Sequence, residues 1–195
     1  MATKNLIYNM QNTIKKNNYC SVSEIKKVMG EKNEIYNNDQ QEDVNEFITN
    51  YLDELVEETK DIGKNNWLYL EKDKNYFNNF YNKYIKRKGN SFILDLFYGI
   101  LRRKEYCKKC HETFSLKFNV FNILELPVYE ENNRYKYEES INMEDLLRKY
   151  ISKKVNKEKR CSLCKEDVTV KTSIYYLPKC LIIYFNRDYH NNKKK

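Results

Sequence analysis

The sequence predicts an α+β fold, helical in its first half and antiparallel β in its second. Apolar residues recur every three or four positions up to about residue 59, then every second position from Phe114 onward, and two Cys-x-x-Cys pairs fall in the β part. No internal repeat and no linker rich in Gly, Pro or Ser divides the chain. One continuous unit is therefore expected, with a helical portion over 1–100 and a β portion over 101–195.

Near the start, Leu6, Ile7, Met10 and Ile14 lie at helical spacing. A short second helix follows over roughly 22–29, with Ser21 and Glu24 read as its capping box and Gly30 as its stop. The strongest helical pattern comes next. Val44, Phe47, Ile48, Tyr51, Leu52 and Leu55 keep one apolar face from about 39 to 59, and Asp43 and Glu46 lie beside that face. Lys72 to Lys88 sets Tyr and Phe among Asn and Lys, which predicts a helix whose aromatic stripe packs into the core. Ser91 to Gly99 is a compact apolar segment.

The second half changes period. Phe114, Leu116, Phe118 and Val120 alternate, Ile123 to Val128 is apolar, and Val168, Val170, Thr172 and Ile174 alternate again, which predicts strands. Between them, Ile141, Leu146, Leu147 and Tyr150 mark one helix. Leu181 to Phe185, after the Leu177-Pro178 break, reads as a buried strand.

Composition narrows the partners. Ala2 is the only alanine, while Lys, Asn, Tyr and Ile abound, as an AT-rich coding sequence would favour. A formal charge of +8 and a pI of about 9.0 ordinarily point to nucleic acid or an anionic membrane. The lysines are scattered apart from Lys193 to Lys195, and no basic stripe interleaves with aromatics, so the charge reads as solvated surface and no nucleic-acid partner is expected. No window approaches the ~18 apolar residues of a membrane helix, and the first residues lack a signal peptide's apolar run. An intracellular protein of the cytoplasm or nucleus, without a membrane partner, is expected.

Six cysteines are thin for a disulfide framework in 195 residues, and four of them form Cys107-x-x-Cys110 and Cys161-x-x-Cys164. Two thiolates on each of two tight turns make the tetrahedral sulfur set that zinc prefers, at ~2.3 Å per bond. One structural Zn2+ would then join two hairpins whose cysteine pairs are separated by 50 residues, and four sulfurs leave no open position for hydrolytic chemistry. The other use of Cys-x-x-Cys, a redox pair, needs one pair only. His111 reads as a polar turn residue, and Cys20 and Cys180 are left over.

The order of segments then becomes informative. Gln40-Gln41-Glu42-Asp43-Val44-Asn45-Glu46-Phe47-Ile48 resembles the glutamine, aspartate, glutamate and phenylalanine helix motif of the ubiquitin-specific proteases. Ser91-Phe92 through Leu96-Phe97-Tyr98-Gly99 resembles the stretch before that family's first Cys-x-x-Cys, and Phe121 to Leu126 the strand after it. Cys161 to Cys164, Lys171, Ile174, Leu177-Pro178 and Leu181-Ile182-Ile183 resemble its second pair and next strands. Several motifs in one order over about 36–187 are more specific than any single short pattern. The resemblance implies a papain-like thumb, fingers and palm with zinc at the fingertips. It also implies ubiquitin, or a ubiquitinated protein, as partner, and thiol-dependent hydrolysis of isopeptide bonds at the ubiquitin C-terminus. By the same resemblance, Asp43 and Glu46, one turn apart on a helix face, contact the arginines of ubiquitin's tail, and Gln41 flanks the cleft. Two carboxylates at i, i+3 suit charge-assisted bonds to guanidinium groups.

Two departures bear on catalysis. The family's cysteine box, an Asn-Thr-Cys-Tyr run opening a helix, is expected further before Gln41 than this chain reaches, and Asn12-Thr13 is followed by Ile14. The histidine box is expected well beyond the strand matched by Leu181 to Arg187. Cys20 and His190 do not match the family's nucleophile and base and are not expected to form a dyad. The expectation is an incomplete domain, with part of the thumb, the fingers and part of the palm, that is inactive alone or completed by a second chain. The alternative is a non-catalytic, zinc-stabilised ubiquitin-binding or scaffold module.

Overall fold

The apolar periodicity of the first half is realised as helices and the alternation of the second half as strands, in a computed structural model that describes residues 2–14, 21–61, 74–128 and 142–186. Cys20, His190 and the Lys193 to Lys195 tail lie outside the described residues. The chain divides into two compact units, Met1–Tyr51 and Leu52–Lys195.

The first unit holds α1 (Ala2–Ile14), α2 (Ser23–Lys32), a 3-10 turn at Glu34–Tyr36 and the start of α3 (Val44–Glu58). The expected capping box of α2 does not form. Its N-cap is Val22 without a side-chain bond, because the helix starts two residues past Ser21, whose Oγ instead accepts from the Ser23 N–H at 3.2 Å. Gly30 is not the stop either: it is buried inside α2, which runs on to Lys32 and ends at Asn33. Asn33 then caps the 3-10 turn through Ile35 N–H. Tyr36 meets Phe47 edge-on at 5.2 Å and accepts from Asn50 Nδ2 at 2.8 Å, so the turn is anchored to the apolar face of α3.

In the second unit, Leu52 and Val56 of α3 are buried. Helix α4 (Lys74–Lys88) carries the expected aromatic stripe, and Phe77 is its buried centre. The Phe77 ring lies 5.4 Å from Phe118 and 5.0 Å from Tyr175, one ring from each of two strands. Burying such a side chain stabilises by roughly 1.5–3 kcal/mol, which is how an Asn- and Lys-rich helix holds to a sheet. Gly89 closes α4 at φ +78°, a conformation glycine adopts without strain. The apolar segment after it is a short helix, α5 (Phe92–Phe97), capped by the Ser91 hydroxyl accepting from Ile93 N–H at 3.1 Å.

The strands are β1 (Gly99–Cys107), β2 (Thr113–Phe121), β3 (Ile123–Pro127), β4 (Lys153–Arg160), β5 (Asp167–Tyr176) and β6 (Ile182–Asn186), with α6 (Met143–Tyr150) between β3 and β4. Four of them form an antiparallel sheet in the order β2-β1-β5-β4. Gly99 faces Phe121 across the first pair, and a Cβ there would lie 2.4 Å from the Phe121 ring, so only glycine permits this approach. The antiparallel expectation does not extend to β3 and β6, which pair in parallel from Ile123 with Ile182 to Pro127 with Asn186. That parallel pair supplies one core cluster: Leu124, Leu126 and Leu146 of α6 are buried, with Leu101, Phe121, Ile174 and Ile183 packed against them. No helix among the described residues is long and apolar enough to cross a membrane.

Candidate metal centre

The sheet order explains how cysteines so far apart in sequence meet. The β1–β2 and β4–β5 hairpins lie side by side because β1 pairs with β5, and Cys107 at the end of β1 is opposite Val168 near the start of β5. Both hairpin turns therefore emerge at one end of the sheet. Cys107 Sγ lies 3.4 Å from Cys164 Sγ, Cys110 Sγ lies 3.4 Å from Cys161 Sγ, and Cys110 to Cys164 is 3.8 Å. All four sulfurs fall within 4.8 Å of one another, with Cys107 and Cys161 buried and Cys110 exposed.

Each turn is built the same way. Cys107 N–H donates to the Glu112 carbonyl at 2.9 Å, and Cys161 N–H donates to the Glu166 carbonyl at 2.8 Å. The residue after the second cysteine takes a left-handed backbone in both, φ 60° at His111 and φ 62° at Lys165. This conformation, which costs of order 1 kcal/mol for a residue with a Cβ, returns the chain so that the following Glu112 and Glu166 carbonyls meet the Cys107 and Cys161 N–H groups. His111 is thus a turn residue, as its sequence context predicts. An ion pair of 3.3 Å between Lys109 and Glu166 links the two turns. The signal for these supporting positions was present in the sequence as a shared Cys-x-x-Cys-x-Glu pattern, Cys107 to Glu112 and Cys161 to Glu166.

The thiols differ in acidity. A backbone hydrogen bond from Cys110, aided by others from the same turn and from Cys164, lowers Cys107 to about 6. Cys161 is lowered in the same manner, chiefly by the Cys164 backbone. Cys110 feels a lowering backbone hydrogen bond at Glu112, but its bond to Cys161, burial and its other sulfur neighbours push it up to about 12. Cys164 rises as well: Glu166 N–H lowers it, and burial and the bond to Cys107 outweigh that. The turn backbones thus favour the charged form at Cys107 and Cys161, and the sulfur neighbours disfavour it at Cys110 and Cys164. A divalent cation bound here would displace the thiol protons and take all four sulfurs as thiolate ligands. Among the described residues these four cysteines are the group able to hold a metal ion.

The other expected site residues form a local group in the first unit. Gln41, Asp43 and Glu46 are all exposed at the start of α3. Asp43 is the N-cap: its carbonyl accepts from Phe47 N–H at 3.0 Å, and its Oδ1 accepts from Asn45 N–H at 2.7 Å and Glu46 N–H at 3.1 Å. Helix α3 accordingly begins at Val44, the first residue of its apolar pattern, later than the expected start at about 39. Between them, Asn45 holds a buried Oδ1 with no hydrogen-bond partner among the described residues. Of the two remaining cysteines, Cys180 is exposed.

The ubiquitin carboxyl-terminal hydrolase family model matches residues 1–195. This chain belongs to the ubiquitin carboxyl-terminal hydrolase family. Curated protein sequences give no match. Among solved structures, this hydrolase-family chain is similar to a SAGA DUB module of Ubp8, Sgf11, Sus1 and Sgf73, at 18% identity and a TM-score of 0.53, over 78% of this chain and 30% of that one. A yeast SAGA DUB module gives a TM-score of 0.46 at 18% identity, over 73% of this chain and 28% of its own. A Ubp8, Sgf11, Sus1 and Sgf73 module bound to monoubiquitin gives 0.41 at 17% identity, over 58% and 26%. The chain therefore spans under a third of the structural neighbours it matches. At these identities the likeness shows the fold, an α+β ubiquitin-hydrolase architecture with helices ahead of a cysteine-tipped sheet.

Proposed function

We propose that this chain is a zinc-clamped, ubiquitin-gripping domain of the ubiquitin-specific protease type, acting in the cytoplasm or nucleus, and that it does not hydrolyse ubiquitin conjugates by itself. The observation that carries this reading is the convergence of four cysteine sulfurs from two hairpins, in a chain matched along its length by the hydrolase family. A tetrahedral zinc site with ~2.3 Å bonds has sulfurs roughly 3.8 Å apart, and the pairs at 3.4, 3.4 and 3.8 Å fit that spacing. Zinc bound by Cys107, Cys110, Cys161 and Cys164 would supply structure and no chemistry, since four thiolates close its coordination. Reduced cysteines of this kind belong to an intracellular compartment.

The family's reaction, isopeptide hydrolysis at the ubiquitin C-terminus, needs a thiolate and an imidazole held together. No Asn-Thr-Cys-Tyr run occurs anywhere in the sequence, and Cys20 and His190 stand in unlike contexts. What the chain retains for ubiquitin is the start of α3. Glu46 and the second carboxylate oxygen of Asp43 would accept from the arginines of the ubiquitin tail, with Gln41 beside them. In family terms, 1–100 is the thumb part and 101–195 the fingers and part of the palm.

Ubiquitin carrying a thiol-reactive C-terminal group tests this directly. The expected result is saturable binding without a covalent adduct. The double variant Asp43→Asn, Glu46→Gln should bind about tenfold more weakly. Its melting temperature should hold, because Asn caps a helix as well as Asp. Covalent capture, or no binding of ubiquitin at all, sinks the reading.

A further inference from the structure

Strand β4 stands at the edge of the four-stranded sheet. Among the described residues it pairs with β5 and with no other strand, so its outer row of N–H and C=O groups is unused by the sheet. Seven of its eight residues are exposed. Its sequence, Lys153-Lys154-Val155-Asn156-Lys157-Glu158-Lys159-Arg160, sets five cations against one carboxylate.

Beside this strand lies a cleft of about 730 Å3, bounded by β4, by Val170 and Thr172 of β5 and by the end of α6. The register explains its make-up: Lys154 is opposite Val170 and Arg103 is opposite Thr172, so cationic side chains and a short apolar strip share one face of the sheet. Arg103, Lys149, Lys154 and Lys157 line the cleft against Glu158 as the one lining carboxylate. Pro127, Leu146, Tyr150, Val155 and Val170 supply its apolar lining. Glu105 offsets part of the positive field, pairing with Arg103 at 3.4 Å and Lys159 at 2.7 Å. Lys154 and Lys157 lie outside that cluster.

We propose that the outer edge of β4 and this cleft bind an extended acidic segment of a partner protein, which adds to the sheet as a further strand. Each part of the surface has a role in that mode. The outward main-chain groups of β4 give the ladder hydrogen bonds, except Glu158 N–H, which donates to Asn156 Oδ1 at 3.0 Å, the lysines select carboxylates, and Val155 of β4 packs against the neighbouring side chains of the added strand. A second copy of this chain does not fit, because two β4 edges would place five cations against five. Nucleic acid fits less well than peptide, since Tyr150, half-buried, is the one aromatic in the lining and offers no stacking platform. The proposal is independent of the ubiquitin reading and can stand or fall without it.

The test uses the full chain, purified with zinc present, and fluorescence anisotropy of labelled ten-residue peptides. An alternating Glu-Val peptide should bind, an alternating Lys-Val peptide should not, and the Glu-Val peptide methylated on alternate backbone nitrogens should lose binding at least tenfold. Raising salt from 50 to 300 mM should weaken the Glu-Val peptide. The variant Lys154→Glu, Lys157→Glu should bind at least tenfold more weakly, while the charge-matched Lys83→Glu, Lys86→Glu variant on α4 should change less than twofold. Equal losses in both variants, indifference to methylation, or displacement of the peptide by a single-stranded oligonucleotide that binds more tightly would each overturn the proposal. The methylation comparison needs only the unmodified protein, so it decides even if a variant misfolds.

Discussion

In the β1–β2 hairpin the cysteine turn rests on a strand paired on both sides, which begins with two buried residues and ends at buried Cys107. The β4–β5 hairpin carries an equivalent turn, with the same Cys-x-x-Cys-x-Glu pattern and a left-handed residue at the same position; each hairpin has one edge strand, but β4 is almost wholly exposed whereas most of β2 is at least half-buried. The turn geometry is therefore local, set by a few residues, whereas the support beneath it is not. Strand β1 is held by the core and β4 mainly by its pairing with β5. The register between β4 and β5 even slips between Asn156 and Arg160, just before the cysteines. A metal shared by both turns would stabilise the second hairpin more than the first.

Metal removal is the strongest way to break that comparison. A tightly bound structural ion contributes at least about 4 kcal/mol at ordinary excess over its dissociation constant. Chelation should therefore lower the melting temperature by about 10 °C or more. Hydrogen exchange should rise first over Lys153–Asp167 and only later over Gly99–Cys107. Uniform loss across both hairpins, or an unchanged melting curve, would remove the asymmetry.

Core substitution comes second. Ile100→Ala, at a residue 0% exposed in β1, should cost about 2–5 kcal/mol. Val155→Ala, at a residue 50% exposed in β4, should stay within about 0.5 kcal/mol in urea denaturation. Similar costs at the two sites would mean that β4 is held by more than its pairing with β5.

The smallest effect is electrostatic. Lys159 from β4 reaches Glu105 of β1, and this hydrogen bond, aided by Arg103, lowers the Glu105 carboxyl from 4.5. A carboxylate more acidic in the folded state adds stability above its unfolded pKa and loses it as pH falls through the folded one. Stability should therefore drop by at most about 1 kcal/mol on acidification below pH 4.5, and Glu105→Gln should flatten that limb of a stability-pH profile.

What was hard to read in the sequence follows from the same contrast. The run from Arg102 to Glu105 hides β1, because four charged residues mask a strand whose side chains rest their stems on neighbours: Arg102 lies over the Tyr175 ring at 5.8 Å and donates to Ser173 at 3.3 Å. Strand β4 is hidden for another reason, since an edge strand facing water needs no alternation and its lysines deter edge-to-edge pairing. Ser21 and Glu24 have the spacing of a capping box but do not form one, as the helix begins further on at Ser23. By contrast, the Phe47, Tyr51 and Leu52 face of α3, the Phe77 helix and the Val168 to Ile174 strand were legible because burial imposes a period on the sequence.

By itself the sequence determined the helix-then-strand order, the family motifs and the two sulfur pairs, because each is written in local periodicity or in residues a few positions apart. The tertiary structure brings Cys107 and Cys110 to Cys161 and Cys164 as the paired spacing predicts, and it alone decided that β3 and β6 run parallel and that Asp43 spends one oxygen on its own helix. Those outcomes depend on which strands pair across long stretches of chain and on which backbone groups still need partners, and no local pattern encodes either.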